Sequence, residues 1–250
     1  MLTEQLLPRR RIEALAPWPY QPAPLPDELL SSFLCRLAVG MDLKPITFLN
    51  TVFGSRKNLL AQDLDNHAPE RIIERVSAGT QRSGYELADC TLPSYVGTLL
   101  TTHNSRGRNP WLLPTTIDNN IRHRFGLQYC PACLAEDERP YYRKIWRLGF
   151  VTACTRHGKG LHDRCSRCKA PLHPHAAATA IHCFRCGHDL REAEQGWVRS
   201  AHIAWQAHLE NALHSGWMNL GGELLRSHIG FAIVRQVGTL FVNGRRADAF

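Results

Sequence analysis

The sequence has no apolar run near the ~20 residues a helix needs to cross a bilayer, so no membrane span is expected. Arg9, Arg10 and Arg11 are not followed by an apolar stretch, so a secretory leader is not expected either, and the chain reads as cytoplasmic. Also missing are a G-x-x-x-x-G-K-[ST] phosphate loop, an H-E-x-x-H pair and a G-x-S-x-G elbow, which argues against a nucleotide hydrolase, a zinc protease and a serine hydrolase of those types. Acid is in short supply. The 22 Asp and Glu stand against 30 Lys and Arg, and they are scattered, with no acidic triad for metal-assisted strand cleavage. No catalytic constellation emerges, and the chain reads as a non-enzyme. The net charge of +8 points to a polyanionic partner, with nucleic acid first.

Cysteine is present and patterned. Seven of the nine cysteines fall in four close pairs: Cys130-x2-Cys133, Cys154-x2-His157, Cys165-x2-Cys168 and Cys183-x2-Cys186. A tight turn between two such residues points both ligand atoms to one side, and two turns complete the tetrahedron that zinc takes in closed structural sites. Paired in order, they predict two tandem zinc ribbons holding two Zn(2+) ions; interleaved pairing satisfies the same count. Disulfides would need an oxidising compartment, and a thioredoxin-like site needs one Cys-x2-Cys rather than four pairs. His188 is the alternative ligand in the second ribbon. The two other cysteines differ: Cys35 lies on the apolar face of an expected helix, as a small buried hydrophobe does.

From Arg139 to Lys169 there are nine basic residues and one acid, Asp163. Seven thiolates and two zinc ions sum to −3, which offsets only part of that charge. Arg143, Lys144 and Arg147 in this run are therefore expected to face phosphate.

The remaining pattern is mostly helical. Prolines at 17, 19, 22, 24 and 26, with Trp18 and Tyr20 between them, predict an extended arm over residues 1–26 that packs on its own domain, with docking on a partner as the alternative. Residues 27–100 are expected to form a helical domain. Leu29, Leu30, Phe33, Leu34 and Leu37 mark a first helix ending at Gly40, and Lys44 to Phe53 a second ending at Gly54. Helix, short glycine-containing turn and helix is the helix-turn-helix arrangement, and an ordinary helical hairpin fits the same pattern. As a DNA reader, the second helix would present Lys44, Thr47, Asn50 and Thr51, with Arg56 and Lys57 clamping the backbone beyond it. Further short helices are expected over 58–65, from Pro69 to Gly79 and around Tyr85. A linker over 101–128, in which Trp111 and Leu112 dock against a neighbour, leads to the tandem ribbons over 129–190. Ser200–Trp217 and Glu223–Val237 predict two helices packed across Gly221-Gly222. The fold class is mainly α, with small β elements in the zinc ribbons.

These residues add up to a resemblance. Leu25-Pro26-Asp27-Glu28-Leu29-Leu30-Ser31-Ser32-Phe33-Leu34-Cys35-Arg36 resembles the opening motif of the TniQ/TnsD family of transposon target-selection proteins, although Phe33 stands where that family often has tryptophan. Tyr129-Cys130-Pro131-Ala132-Cys133 with Tyr142-Arg143 and Trp146-Arg147, and Cys154-Thr155-Arg156-His157-Gly158 running into Cys165-Ser166-Arg167-Cys168, resemble its finger region. The resemblance implies a helix-turn-helix domain followed by paired zinc fingers in a non-catalytic adaptor. Such an adaptor recognises a target site or a targeting complex and recruits an AAA+ ATPase transposition regulator. DNA, the transposase, a CRISPR effector complex and a second copy of the chain complete the implied partners. A sequence-specific transcription regulator built from the same modules is the alternative, distinguished by binding an operator without any ATPase.

Overall fold

The structure, a computed structural model, describes residues 17–54, 63–105, 107–115, 126–177 and 179–247, with side chains of the last helix described to Phe241. Arg56, Lys57 and most of the short helix expected over 58–65 lie outside the described residues.

Helix α1 (Leu30–Gly40) buries Leu30, Phe33, Leu34 and Leu37, the i, i+3, i+4, i+7 stripe that drives an amphipathic helix onto a core. The sequence pattern would start it at Asp27, but it begins three residues later, at Leu30, because Asp27 sits in the left-handed region at φ 57. The Asp27 carbonyl accepts from the Lys144 N–H and its carboxylate from the Ile145 N–H, so the chain reaches the helix by way of the first finger. After a turn at 41–44, α2 (Pro45–Phe53) opens with proline at its first position, where a missing N–H costs nothing. Phe48 and Leu49 face inward. Helix α3 (Glu70–Thr80) and the short α4 (Gly84–Asp89) close this apolar cluster, the second with a capping box between Ser83 and Glu86.

The proline-rich segment from Pro17 to Pro26 packs on this cluster. The Trp18 N–H donates to the Gly79 carbonyl, its ring meets Phe48 edge-on, and the Arg75 guanidinium stacks over it. The Trp18 ring lies so close to Gly79 that any Cβ there would collide with it, and Tyr20 covers Gly40 in the same way. Gly79→Ala is therefore expected to lever the arm off its seat. The predicted cost is about 1–3 kcal/mol, the usual range for overpacking. Thermal denaturation together with faster protease cleavage between Pro17 and Pro26 would report it; unchanged cleavage would contradict it.

A second cluster joins the fingers to the carboxyl-terminal elements. It holds α5 (Pro131–Glu136), the antiparallel pair β1 (Ala153–Cys154) and β2 (Lys159–Gly160), and α6 (Ser200–Ser215). Trp111 packs against Phe150 and Phe231, so the apolar break in the 101–128 segment docks on this cluster. The carboxyl-terminal expectation needs correction. Two helices do not meet across Gly221-Gly222. The segment instead forms a β-hairpin, β3 (Trp217–Leu220) and β4 (Glu223–Arg226), before α7 (Ser227–Ala247). The two glycines occupy positive φ at 62 and 94, a turn geometry that other residues resist and that joins two strands tightly. Helical periodicity in 223–237 was real only from Ser227 onward.

Candidate metal centres and nucleic-acid face

The four ligand pairs converge in sequence order. Cys130, Cys133, Cys154 and His157 form one group and Cys165, Cys168, Cys183 and Cys186 the other, with the ligand atoms of each within 4.8 Å of one another. The interleaved pairing is therefore not the one adopted. Three of the pairs share a local device. The residue after the second ligand takes a left-handed conformation: Gly158 at φ 65, Lys169 at φ 60 and Gly187 at φ 68. That residue's N–H bonds back to the carbonyl of the first ligand, from Gly158 to Cys154, from Lys169 to Cys165 and from Gly187 to Cys183. The turn this closes puts both ligand atoms on its inner side. The Cys130 pair is built differently: Cys130 caps α5 and Cys133 lies one turn inside it.

The spacings fit a tetrahedral ion. Bonds of about 2.3 Å to sulfur and 2.0 Å to nitrogen imply edges of roughly 3.8 Å between sulfurs and roughly 3.5 Å from sulfur to nitrogen. In the first centre Cys133 Sγ lies 3.6 Å from Cys154 Sγ, and His157 Nδ1 lies 3.2–3.5 Å from the three sulfurs. In the second, Cys165 lies 3.8 Å from Cys186 and Cys168 lies 3.6 Å from Cys183. Disulfide bonding needs about 2.05 Å, and every cysteine is free.

Electrostatics point the same way. Hydrogen bonds from the Cys133 and Cys154 thiols hold Cys130 as a thiolate, far below the usual thiol range, and that sharing drives Cys133 far above it. In the second centre the backbone N–H of Ala170 leads in lowering Cys168 to about 7, while burial pushes Cys183 up. Neighbouring thiols thus share protons at each centre, and a divalent cation would take the place of those protons by holding several thiolates at once. Each group could hold one metal ion.

Supporting residues complete the first centre. The remaining His157 nitrogen, Nε2, lies 3.0 Å from Glu136, the carboxylate–histidine arrangement that orients a metal-bound imidazole. Gln195 donates to Cys130 Sγ at 3.5 Å. Glu136 had a signal in the sequence, three residues past Cys133 on the same helix; Gln195, 62 residues past Cys133, had none. His188 is not drawn into the second centre. Its ring turns to Ser166 at 2.9 Å and to Glu192.

The expectation that Arg143, Lys144 and Arg147 face phosphate is corrected by their surroundings. Arg147 is 1 % exposed and bridges Asp63, Asp65 and the Leu113 carbonyl. Lys144 is buried against the Asp89 carbonyl and carboxylate and Ser94. Arg143 pairs with Asp137 and stacks on Tyr141 and Trp146. Arg147 and Lys144 are internal cations that lock the first finger to other segments of the chain, whereas Arg143, half-buried, is held within the finger itself. Basic residues left at the surface of the run include Arg139, Arg167 and Lys169, with Arg156 exposed but paired to Glu136. Beside them Lys159 stacks on Trp197, an exposed indole the sequence reading passed over.

On α2, Thr47, Asn50 and Thr51 are exposed, as is Lys44 just before it, opposite the buried Pro45, Phe48 and Leu49. The structure thus presents the expected polar face on one side of that helix. The 3-10 turn Pro174–Ala176 of the second finger packs against both α1 and α2.

No helix among the described residues is long and apolar enough to cross a membrane. No curated protein matches the chain. The TniQ family matches residues 19–161, more than half of the 250, a stretch that takes in the end of the arm, α1 to α5 and the first metal centre but stops short of the second. With the helix-rich fold, the paired Cys/His clusters and that match, the chain belongs to the TniQ family, a transposition-associated family of target selection.

Proposed function

We propose that this chain is a non-catalytic adaptor that helps choose where a mobile element inserts, by contacting DNA or a targeting complex and recruiting an AAA+ transposition regulator. The observation that carries this reading is the family match, which spans both the α1–α2 pair and the first metal centre. Zinc fills both centres: thiolate and imidazole sets with tetrahedral spacing select it over oxygen-seeking cations. Four protein ligands at each centre leave no open position for chemistry, so the metals hold structure.

In this reading α1 and α2 form a helix-turn-helix whose second helix enters the major groove. Lys44, Thr47, Asn50 and Thr51 are its contact residues, with Arg56 and Lys57 following. The exposure of Lys44 and, on one side of α2, of Thr47, Asn50 and Thr51 supports the assignment. The second finger buttresses this pair through Pro174–Ala176. The AAA+ regulator then brings in the transposase. A CRISPR effector complex supplying the target and a second copy of the chain remain partners to be tested on the same footing.

DNA affinity of the metal-loaded chain across a salt series tests the DNA face. Lys44→Ala is expected to lower the slope of log affinity against log salt by about 1, the signature of one lost phosphate contact. Thr47→Ala/Asn50→Ala is expected to reduce preference between sequences and leave that slope unchanged. If both variants bind like the wild type, α2 does not face DNA. Tight operator binding that ignores the ATPase would instead favour a transcription regulator.

A further inference from the structure

Large apolar side chains are unevenly exposed. Among the described residues, eight of the fourteen exposed ones lie between Trp205 and Phe241, beyond the family-matched stretch. Five line one side of α7: Ile229, Ile233, Val237, Leu240 and Phe241, between 41 and 72 % exposed. The spacing i, i+4, i+8, i+11, i+12 is that of a single helical stripe. Leu224 on the neighbouring hairpin is also exposed, at 64 %.

Among its described side chains, helix α7 is anchored at its start only. Phe231 is buried against Trp111 and Phe150, and Gly230 lies on Met218. From Arg235 through Phe241 every residue is exposed. The exposed portion described, 235–241, is about 10 Å of helix. A helix that short gains little stability by itself in water, so its apolar stripe is the part that needs a cover.

Charge narrows the cover. From Ser227 to Ala247 there is no Asp or Glu, while His228, Arg235, Arg245 and Arg246 are present. Two such helices side by side would set like charges together. The stripe, 13 residues from Ile229 to Phe241, also falls short of the roughly three heptads that a self-paired coil needs. Nor does it suit a lipid surface. Arg235 is the one cation between Ile229 and Phe241, whereas helices that lie on membranes carry a densely basic polar face. A groove lined with apolar side chains and rimmed with carboxylates meets both the stripe and the charge, as in helix-in-groove recognition.

We propose that α7 is the docking helix by which this chain seats in an acid-rimmed apolar groove of the protein it recruits, with Val237, Leu240 and Phe241 as anchors and Arg235 at the rim. This rests on the recruiting role above, in which that protein is the AAA+ regulator.

The test is the binding of full-length, metal-loaded chain to the purified AAA+ regulator of the same element, with light scattering and phosphatidylglycerol vesicle flotation run in parallel. Val237→Asp/Leu240→Asp is expected to weaken binding at least about thirtyfold, the loss that marks a hot spot. Arg235→Glu is expected to weaken it several-fold, by a factor that shrinks as salt rises. All three positions are exposed, so both variants should keep two metal ions and the wild-type melting temperature. If the double variant binds the regulator as tightly as the wild type, the docking assignment falls and the recruiting role stands. If the wild type itself fails to bind, the recruiting role falls. A dimer mass that the double variant loses would give the stripe to a second copy, and flotation that it loses would give it to lipid. Either result overturns the proposal.

Discussion

Cys183→Ser is expected to reduce the bound metal from two ions to one and to unfold the second finger. The reason lies in how little else holds that finger together. Between Gly158 and Ala193 the buried apolar residues are mostly small: Cys165, Ala170, Leu172, Ala177, Cys183, Leu190 and Ala193. The metal stands in for a core there, and structural zinc in small fingers contributes roughly 10–16 kcal/mol of apparent binding energy at neutral pH. Serine is a poor ligand at that pH, so most of the site's share is lost. The damage should spread in a defined direction, because Pro174–Ala176 packs on α1 and α2. Metal content by mass spectrometry and amide exchange over 165–190 would check this. The expected pattern is one ion lost, protection gone from that segment and a smaller loss in α1 and α2. Two ions retained, or unchanged protection over 165–190, would contradict it. The first finger should suffer less from Cys133→Ser, since Tyr142, Trp146, Leu134 and Leu148 give it apolar support that the second lacks.

Arg147→Met is expected to destabilise the fold by about 3–5 kcal/mol, the usual cost of removing one partner from a buried ion pair. The guanidinium is the cation common to Asp63 and Asp65, and it also donates to the Leu113 carbonyl. Burial works against ionisation of Asp63, but the attraction and hydrogen bonds of Arg147 outweigh it and hold that carboxyl below its usual range. Burial wins at Asp65. It pushes the carboxyl up to about 6, Arg147 pulls it back, and the Asp63 charge raises it again. The two acids therefore pull stability in opposite directions with pH. Asp63, ionised more readily in the folded state, supports folding above the ordinary carboxylate pKa and loses that support as pH falls. Asp65 holds its proton more tightly when folded, so its support is full below about pH 4 and fades as pH rises through about 6. Arg147→Met should remove the Asp63 support and raise both folded pKa values. Its cost should accordingly grow between pH 5 and pH 7.5. Adding Asp63→Asn and Asp65→Asn should recover much of the loss, because the carboxylates left without a cation are what makes the single change expensive. Denaturant unfolding of the wild type, the single variant and the triple variant at both pH values would decide it. A single-variant cost below ~1 kcal/mol at pH 7.5 would mean the triad contributes no more than a surface pair.

What was legible in the sequence was whatever local pattern decides. Ligand spacing marked all eight residues that converge in the two clusters, since the turn that brings Cys and Cys or Cys and His together is contained in four or five residues. Apolar periodicity placed α1, α2 and α3 to within a few residues. Long-range partners were not legible. Lys144 and Arg147 sit in a basic run that looks solvent-facing, and nothing local shows that acids at 63, 65 and 89 come to meet them; Asp137, six residues before Arg143, was the one partner within local reach. A cation's role depends on whether a carboxylate arrives from elsewhere in the chain, and the sequence does not give that. The hairpin at 217–226 was missed for another reason. Leu224 and Leu225 continue the apolar spacing of α7, so the helical period ran on through a pair of glycines that in fact close a strand turn. Gln195, which steadies Cys130, has no sequence signal at all.

The most direct test of the central claim is retention of the purified AAA+ regulator on target-bearing DNA, with and without the metal-loaded chain, across a salt series. An adaptor predicts weak, steeply salt-dependent binding by the chain alone and a salt-resistant complex once regulator and ATP are added. Loss of that complex on chelation of the metals would tie it to the folded fingers. Regulator loading that is the same in the presence and absence of the chain would contradict the adaptor account.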